Sequence, residues 1–545
     1  MPATAIARPA ESRGRLNLAA RIGIAAVLLG IEKFLLNFFV DIDAAHSRGA
    51  AEYLRNAQHW GFRFIVTVAA ALALFAYMQG NPRLKALNAQ VRTNAFGWSR
   101  LALHVALFLP LVALTFSFYG NRGLHWPTAV LALLWLVIAA SGVAALLGAM
   151  APWKIWREAI GALENLWYYA AAAGAVAASA MQLSQRLWAP TAQITFELVR
   201  ALLRPLIPSL HSNAATQVLD TGRFAVYIAE QCSGLEGAGL LLAFCCAWLL
   251  YFRREYHFPR ALLIIPAGLA LLFFLNVVRI AVLVLIGDAG YPDIALYGFH
   301  SQAGWIAFNG TAGGIAYLSR RSAWLSRTVE PPAVQGTHNP TAAFLLPLVT
   351  LLAAGMLSRA ASGQFETLYP LRLFATAIAL WYCWPKLRAL DFRFTWRGIA
   401  TGIGVFILWL AAAQWLTQPS PMPAALAALP ATGRILWIAA RAIAAVITVP
   451  LAEELAYRGF LMRRLKRADF DSLPFGAVGI LALLLSSLAF GLAHGGWWLP
   501  GTAAGLAYGT LLMRTGRVGE AVAAHATTNG LIVVWVLGLQ QWQLW

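Results

Sequence analysis

Apolar runs of roughly 17 to 25 residues recur from Ile22 to Leu537, with short Arg-rich breaks between them. Each run is long enough to cross about 30 Å of hydrocarbon as a helix, and only helices or closed barrels satisfy every backbone hydrogen bond inside lipid. The chain cannot hide this much apolar surface in a water-soluble fold: 60% of its 545 residues are hydrophobic and only 12% are charged. The sequence therefore predicts an all-α polytopic membrane protein of about fifteen helices in two transmembrane bundles. The first run, Ile22 to Val40, carries Glu32 and Lys33 and is followed by many others, so it reads as an uncleaved first helix rather than a signal peptide.

A formal net charge of +19 raises the question of nucleic acid. The Lys and Arg residues, however, are spread through short loops, which is the pattern of membrane topology, and no nucleic-acid partner is expected. With Arg8, Arg13, Arg15 and Arg21 placed inside, eight spans are expected near 22–40, 62–79, 101–118, 127–149, 160–182, 237–252, 261–286 and 303–319. The basic loops (Arg83, Lys85 and Arg92; Lys154 and Arg157; Arg253, Arg254 and Arg260; Arg320, Arg321 and Arg327) then all fall on the inner side. The long stretch from about Leu183 to Glu236 falls outside, and its amphipathic part, Thr191 to Leu210, is expected to lie along the interface. A polar segment with three prolines breaks the pattern near 319–340. It divides the chain into 1–325, a cytoplasmic linker 326–340, and 341–545. The second bundle has spans near 342–358, 368–385, 398–416, 432–452, 473–493, 499–513 and 520–538.

Cys245 and Cys246 lie inside an apolar run and read as packing residues, and the four cysteines, Cys383 included, have no metal or disulfide spacing. Cys232 differs, because it opens the span 237–252 on the outer side. Arg279 lies about three-quarters of the way out along the span 261–286, where a guanidinium is costly unless it meets an anion or a polar cavity. His300 follows in the next outer loop. An imidazole can take the proton of a thiol, and a guanidinium can hold a developing oxyanion, so the three types together suit acyl transfer. Taken singly, each has an ordinary explanation: an inert thiol, a structurally paired Arg, a solvated His. Their shared side of the membrane favours the functional reading. His257, on the inner side, is set apart.

In the second bundle, Pro450-Leu-Ala-Glu453-Glu454-Leu-Ala-Tyr-Arg458 places two carboxylates and a guanidinium within an apolar helix. Glu454 and Arg458 share a face and can pair, while Glu453 points about 100° away and is free to act as a general base. Phe490-Gly-Leu-Ala-His494 and His525-Ala-Thr-Thr-Asn529 supply two imidazoles and a carboxamide, suited to activating water and stabilising an oxyanion. Two His and two Glu can also ligate zinc, but no His-Glu-x-x-His run is present, and no metal or other cofactor is expected. An ion-pair network that only fixes helix packing is the plain alternative. For the whole chain, the rival to an enzyme is a transporter or membrane scaffold that uses the buried Arg, Glu and His as ion-pathway or packing residues.

Gln231-Cys232-Ser233-Gly234-Leu235, Asn276-Val-Val-Arg279-Ile and Phe299-His300 resemble, in order, the motifs of the exosortases. These are membrane cysteine transpeptidases or proteases of Gram-negative bacteria. The resemblance implies Cys232 as nucleophile with Arg279 and His300, and exported partner proteins bearing a C-terminal sorting tail. The EExxxR, FxxxH and HxxxN motifs resemble the CAAX-processing and bacteriocin-processing intramembrane glutamate proteases. That resemblance implies Glu453 as base, Glu454 and Arg458 as its supports, His494 on the water, and His525 with Asn529 at the oxyanion. A straight helix from Asp471 would leave His494 ~30 Å from the basic inner edge while Glu453 lies ~15 Å from it, so some part of 470–515 has to bend, tilt or break.

Overall fold

The computed structural model describes residues 18–39, 67–68, 72, 89–119, 128–327 and 339–545. The head with Arg8, Arg13 and Arg15, most of the span expected at 62–79, the loop with Arg83 and Lys85, and most of the linker 326–340 lie outside the described residues. Contacts divide the chain into two compact units, Met1–Arg186 and Leu187–Trp545.

In the first unit, α1 (Leu18–Phe39), α2 (Trp98–Tyr119) and α3 (Thr128–Met150) are followed by the short α4 (Trp153–Leu163). Buried polar groups tie the first three together. Arg21 donates to the carbonyls of Met150, at 2.6 Å, and of Asn94. Glu32 and His104 lie 3.1 Å apart, and His104 Nδ1 donates to the Gly142 carbonyl at 2.9 Å.

Helix α5 (Leu166–Leu203) is unbroken through Pro190, so the amphipathic stretch after 191 continues a helix rather than starting a separate one. Its apolar face (Phe196, Val199, Leu203) is buried against Val277, Ile280 and Val284. Between it and the next helix the chain makes a three-stranded antiparallel sheet, β1 (His211–Asn213), β2 (Val218–Asp220) and β3 (Ala225–Tyr227), a small addition to an otherwise helical fold. Then come α6 (Leu235–Tyr251), α7 (Ile264–Asp288) and α8 (His300–Arg321).

The second bundle consists of α9 (Pro340–Ala360), α10 (Pro370–Leu387), α11 (Trp396–Leu416), α12 (Ala431–Arg464), α13 (Ile480–Leu492), α14 (Trp498–Thr515) and α15 (Val518–Leu539). Among the described residues, seven helices are long and apolar enough to cross a membrane. The two bundles meet within the second unit. The turn Ile294–Phe299 before α8 sits on the loop after α9, so closely that a Cβ on Gly298 would collide with the carbonyl oxygens of Arg359 and Ser362.

Helix α12 extends to Arg464, well past the expected 452, and two π segments, Ala444–Thr448 and Leu455–Leu461, enclose the regular turn that carries the two glutamates. Such wide turns inside a helix often accompany functional sites. Helix α13 starts at Ile480 rather than near 473, because the preceding residues form a loop held by a Lys386–Asp471 ion pair of 2.8 Å and a single turn at Phe475–Ala477.

Candidate functional site

Cys232 lies in a single 3₁₀ turn, Glu230–Ser233, that enters α6 through Gly234 at φ +78°. Only glycine suits this position, since a side chain would be strained there and would stand 2.9 Å from Asn276 Nδ2. The Cys232 N–H donates to the Ala229 carbonyl at 2.8 Å, and the Cys232 carbonyl accepts from Asn276 Nδ2 at 2.8 Å. Asn276 and Arg279 are three residues apart on α7 and share a face. One helix therefore pins the turn of the thiol and presents the guanidinium. Arg279 lies within electrostatic range of both Cys232 and His300. Its Nε is buried without an acceptor, and no carboxylate within ion-pair distance neutralises it among the described residues. A structural ion pair is therefore not what keeps this arginine in the helix.

A cavity of about 260 Å³ opens beside these groups. Glu236, Asn276, Arg279 and Ser301 form its polar side and Leu240, Leu272, Trp305 and Phe308 its apolar side, with Cys232 and His300 outside the lining. His300, the first residue of α8, is exposed, and no side-chain hydrogen bond joins it to Cys232. The three residues thus share one region around Arg279, but the thiol and the imidazole do not touch.

In the second bundle the groups are closely knit. Glu454 is fully buried. Its Oε1 accepts from Arg458 Nη1 at 3.1 Å and lies 2.9 Å from His525 Nδ1. The other ring nitrogen, His525 Nε2, lies 3.8 Å from Glu453 Oε2, so the imidazole stands between the two carboxylates. His494 Nδ1 donates to the Phe490 carbonyl at 2.8 Å, which leaves its Nε2 for the cavity. Phe490 packs between the imidazoles, 4.6 Å from His494 and 5.7 Å from His525, and the Arg458 guanidinium lies 4.2 Å over the same ring. Glu453, His494, His525 and Asn529 all line one cavity of about 250 Å³, whereas Glu454 and Arg458 stand behind it.

The depth mismatch of His494 is thus resolved by the loop before α13. About ten residues are spent outside the helix, so α13 is short and its end meets Glu453. His525 is hydrogen-bonded to Glu454 and lies near Glu453 as well as lining the cavity where an oxyanion would form. Asn529 Nδ2 donates to the Ala445 carbonyl at 2.8 Å, in the first π segment, with its second amide N–H left over. Glu454 Oε1 is already shared by Arg458 and His525, and among the described residues no three His, Cys, Asp or Glu side chains are gathered as a metal-binding group.

Sequence reasoning missed two residues. Asn276 had a signal: it is a lone carboxamide one turn from Arg279 in an apolar helix. Tyr508 had none. Its ring stacks on His525 at 5.1 Å, and its hydroxyl donates to Thr528 Oγ1 at 2.7 Å, holding the imidazole plane.

Residues 55–317 match the family of transmembrane exosortases. Residues 435–531 match the Rce1-like family of type II CAAX prenyl endopeptidases. The two matches contain the Cys232 and Glu453 constellations respectively, and together they agree with the fusion that the motifs resemble. No curated protein and no solved structure matches the chain.

Proposed function

We infer from these two peptidase-related matches and the membrane-length helices that the chain is a multi-pass membrane protease whose substrates are proteins. We propose that it is bifunctional and works in the inner membrane of a Gram-negative bacterium: residues 1–325 act as a cysteine transpeptidase or protease on C-terminal sorting tails of exported proteins, and residues 341–545 as an intramembrane glutamate endopeptidase. The observation that carries the reading is the convergence of Glu453 on α12, His494 in the turn after α13, and His525 and Asn529 on α15 on a single cavity. The unneutralised Arg279 between Cys232 and His300 supports the first activity.

In the first site His300 takes the proton of the Cys232 thiol. The thiolate attacks the scissile carbonyl, and Arg279 holds the oxyanion. Collapse breaks the C–N bond, the tail leaves as an amine with the proton from His300, and a thioester remains on Cys232. A water or an acceptor amine then attacks the thioester and restores the thiol. The approach of substrate has to bring His300 to the thiol, since the two do not yet touch.

In the second site Glu453 takes a proton from a water that His494 Nε2 also holds, and the hydroxide attacks the carbonyl directly. The free amide N–H of Asn529 donates to the oxyanion. Glu454 fixes the His525 ring beside Glu453. Glu453 then passes its proton to the departing amine, so no covalent intermediate forms.

The test is a reporter protein with a sorting tail, co-expressed with the chain. Cys232→Ala is expected to leave the full-length tailed protein in the membrane, and undiminished processing would overturn the first assignment. Glu453→Gln is expected to spare that cut and abolish only the second activity.

A further inference from the structure

From Ile294 to Arg321 the chain is one continuous helical rod, in which the wide turn Ile294–Phe299 runs straight into α8 with helical φ and ψ at Phe299 and His300. Its first turns touch both bundles. Gly298 lies against the loop after α9, and its carbonyl accepts from Ser301 Oγ at 3.1 Å. Ser301 and Gly304 line the cavity beside Cys232, and Gly304 packs so near Arg279 that a Cβ there would stand 3.0 Å from Nη1. His300 sits between these points, so where the rod rests decides where the imidazole stands relative to the thiol and the guanidinium.

The seat belongs to the second bundle, and it holds at two points. Besides the approach of Gly298 to the Arg359 and Ser362 carbonyls, a Cβ on Gly363 would lie 3.2 Å from Cβ of Asp293, next to the turn. The loop 361–369 that makes the seat is itself anchored. Ser362 Oγ donates to the Ser358 carbonyl at 2.8 Å and lies 3.3 Å from Thr367 Oγ1. Arg372 Nε and Nη2 bond the two Glu366 oxygens at 2.7 and 2.6 Å, and the Glu366 carbonyl accepts from Trp437 Nε1 at 3.0 Å. Trp437 is on α12, the helix of Glu453. A loop fixed to the helix of one site thus supports the imidazole of the other, and it does so through backbone atoms, which cannot swing aside as the end of a long side chain can.

We propose that the loop 361–369 is a positioning element of the Cys232 site: it seats the turn before α8 and so sets His300 where an arriving substrate can bring it to the thiol. The first activity therefore depends on the second bundle as a support, although not on its chemistry. The inference rests on the reading of His300 as the group that takes the thiol proton.

The test uses the full chain in phosphatidylcholine vesicles with a reporter protein ending in a sorting tail, and reads the rate at which the new C-terminus forms by mass spectrometry. Gly298→Ala forces the turn off the loop by about 1 Å. It is expected to lower kcat of the Cys232-dependent cut about 10- to 100-fold with KM within about 3-fold, while the peptides that vanish in Glu453→Gln stay at their wild-type level. Ser362→Ala loosens the seat from the other side and should cost a few-fold in the same kcat. Gly314→Ala, further along α8 with open space around it, should behave as wild type. The sharpest arm combines Gly298→Ala with His300→Ala and follows the residual cut over long incubation. Acting through the imidazole, Gly298→Ala should add less than about 2-fold to the loss that His300→Ala already causes. If Gly298→Ala does not fold, Ser362→Ala with and without His300→Ala gives the same comparison. Wild-type kcat in both seat variants, an equal fall of both activities, or losses that multiply in full with that of His300→Ala would overturn the proposal. Undiminished processing by His300→Ala would instead remove the reading of the base and the proposal with it, an outcome distinct from an inactive His300→Ala beside a wild-type-like Gly298→Ala.

Discussion

The two candidate sites lie in the same compact unit and are built in opposite ways. Around Glu453 the side chains are linked to one another, with Arg458 and His525 sharing Glu454 Oε1, Phe490 orienting His494 and Tyr508 bracing His525, while Glu453 Oε2, Glu454 Oε2 and Arg458 Nη2 stay buried without a hydrogen-bond partner. Around Cys232 only the backbone of the thiol is pinned, by Asn276, while Arg279 keeps an unspent Nε and His300 stands exposed. A carboxylate that must deprotonate water within lipid has to be positioned before the substrate arrives, because reorganising buried charges is costly. A thiol at the outer edge of a span can wait for a substrate tail to complete its site. Stability and catalysis are therefore coupled at the second site and largely separate at the first.

The largest effects should come from the proposed nucleophile and the proposed general base. Cys232→Ala and Glu453→Gln are each expected to lower their own product by at least about 10³-fold, while the other product persists. Loss of both products in either variant would make the two sites one. The next test sets arginine against arginine. Arg458→Met leaves buried Glu454 with His525 alone and should destabilise the fold by about 3–5 kcal/mol, whereas Arg279→Met should abolish Cys232-dependent processing with little change in unfolding. Equal destabilisation in urea would erase the contrast and return Arg279 to a packing role.

A smaller effect is expected at Asn276. Replacing it by Ala frees the Cys232 turn and should reduce kcat of the first reaction about 10-fold, the value of one buried hydrogen bond, with KM retained. The rate of Cys232 alkylation should change in parallel, and an unchanged rate would mean the carboxamide only packs. Smallest is Tyr508→Phe, which removes the hydrogen bond to Thr528 and should cost about 1 kcal/mol in stability with a few-fold loss of second-site rate. A wild-type pH profile and rate would show that stacking alone holds His525.

Helix positions were legible because each apolar run must match the thickness of lipid, and α9, α11 and α15 begin and end within about two residues of the expected bounds. The misses have local causes. Pro190 and the turn to an amphipathic pattern suggest a break in α5, yet a helix whose Phe196 and Leu203 find a core can run on through a proline. The short strands between 211 and 227 carry too few residues for an alternating pattern. Asp471 to Gly479 looks apolar enough to be helical, yet Pro474, Gly476 and Gly479 oppose a helix locally and the Lys386–Asp471 pair ties the loop down. Within the second candidate site, spacing gave the Glu454–Arg458 pair, because i,i+4 neighbours follow from helix geometry. The partner of His525 was not legible, since which carboxylate an imidazole meets depends on how α12 and α15 pack, and the π segments shift that packing.

The central claim, that one chain holds two independent peptidase centres, is tested most directly by mass spectrometry of a tailed substrate after exposure to wild type, Cys232→Ala and Glu453→Gln. The account predicts one new C-terminus that vanishes only with Cys232→Ala and a second, distinct set of peptides that vanishes only with Glu453→Gln. Identical products from all three proteins, or the loss of both sets with a single substitution, would contradict it.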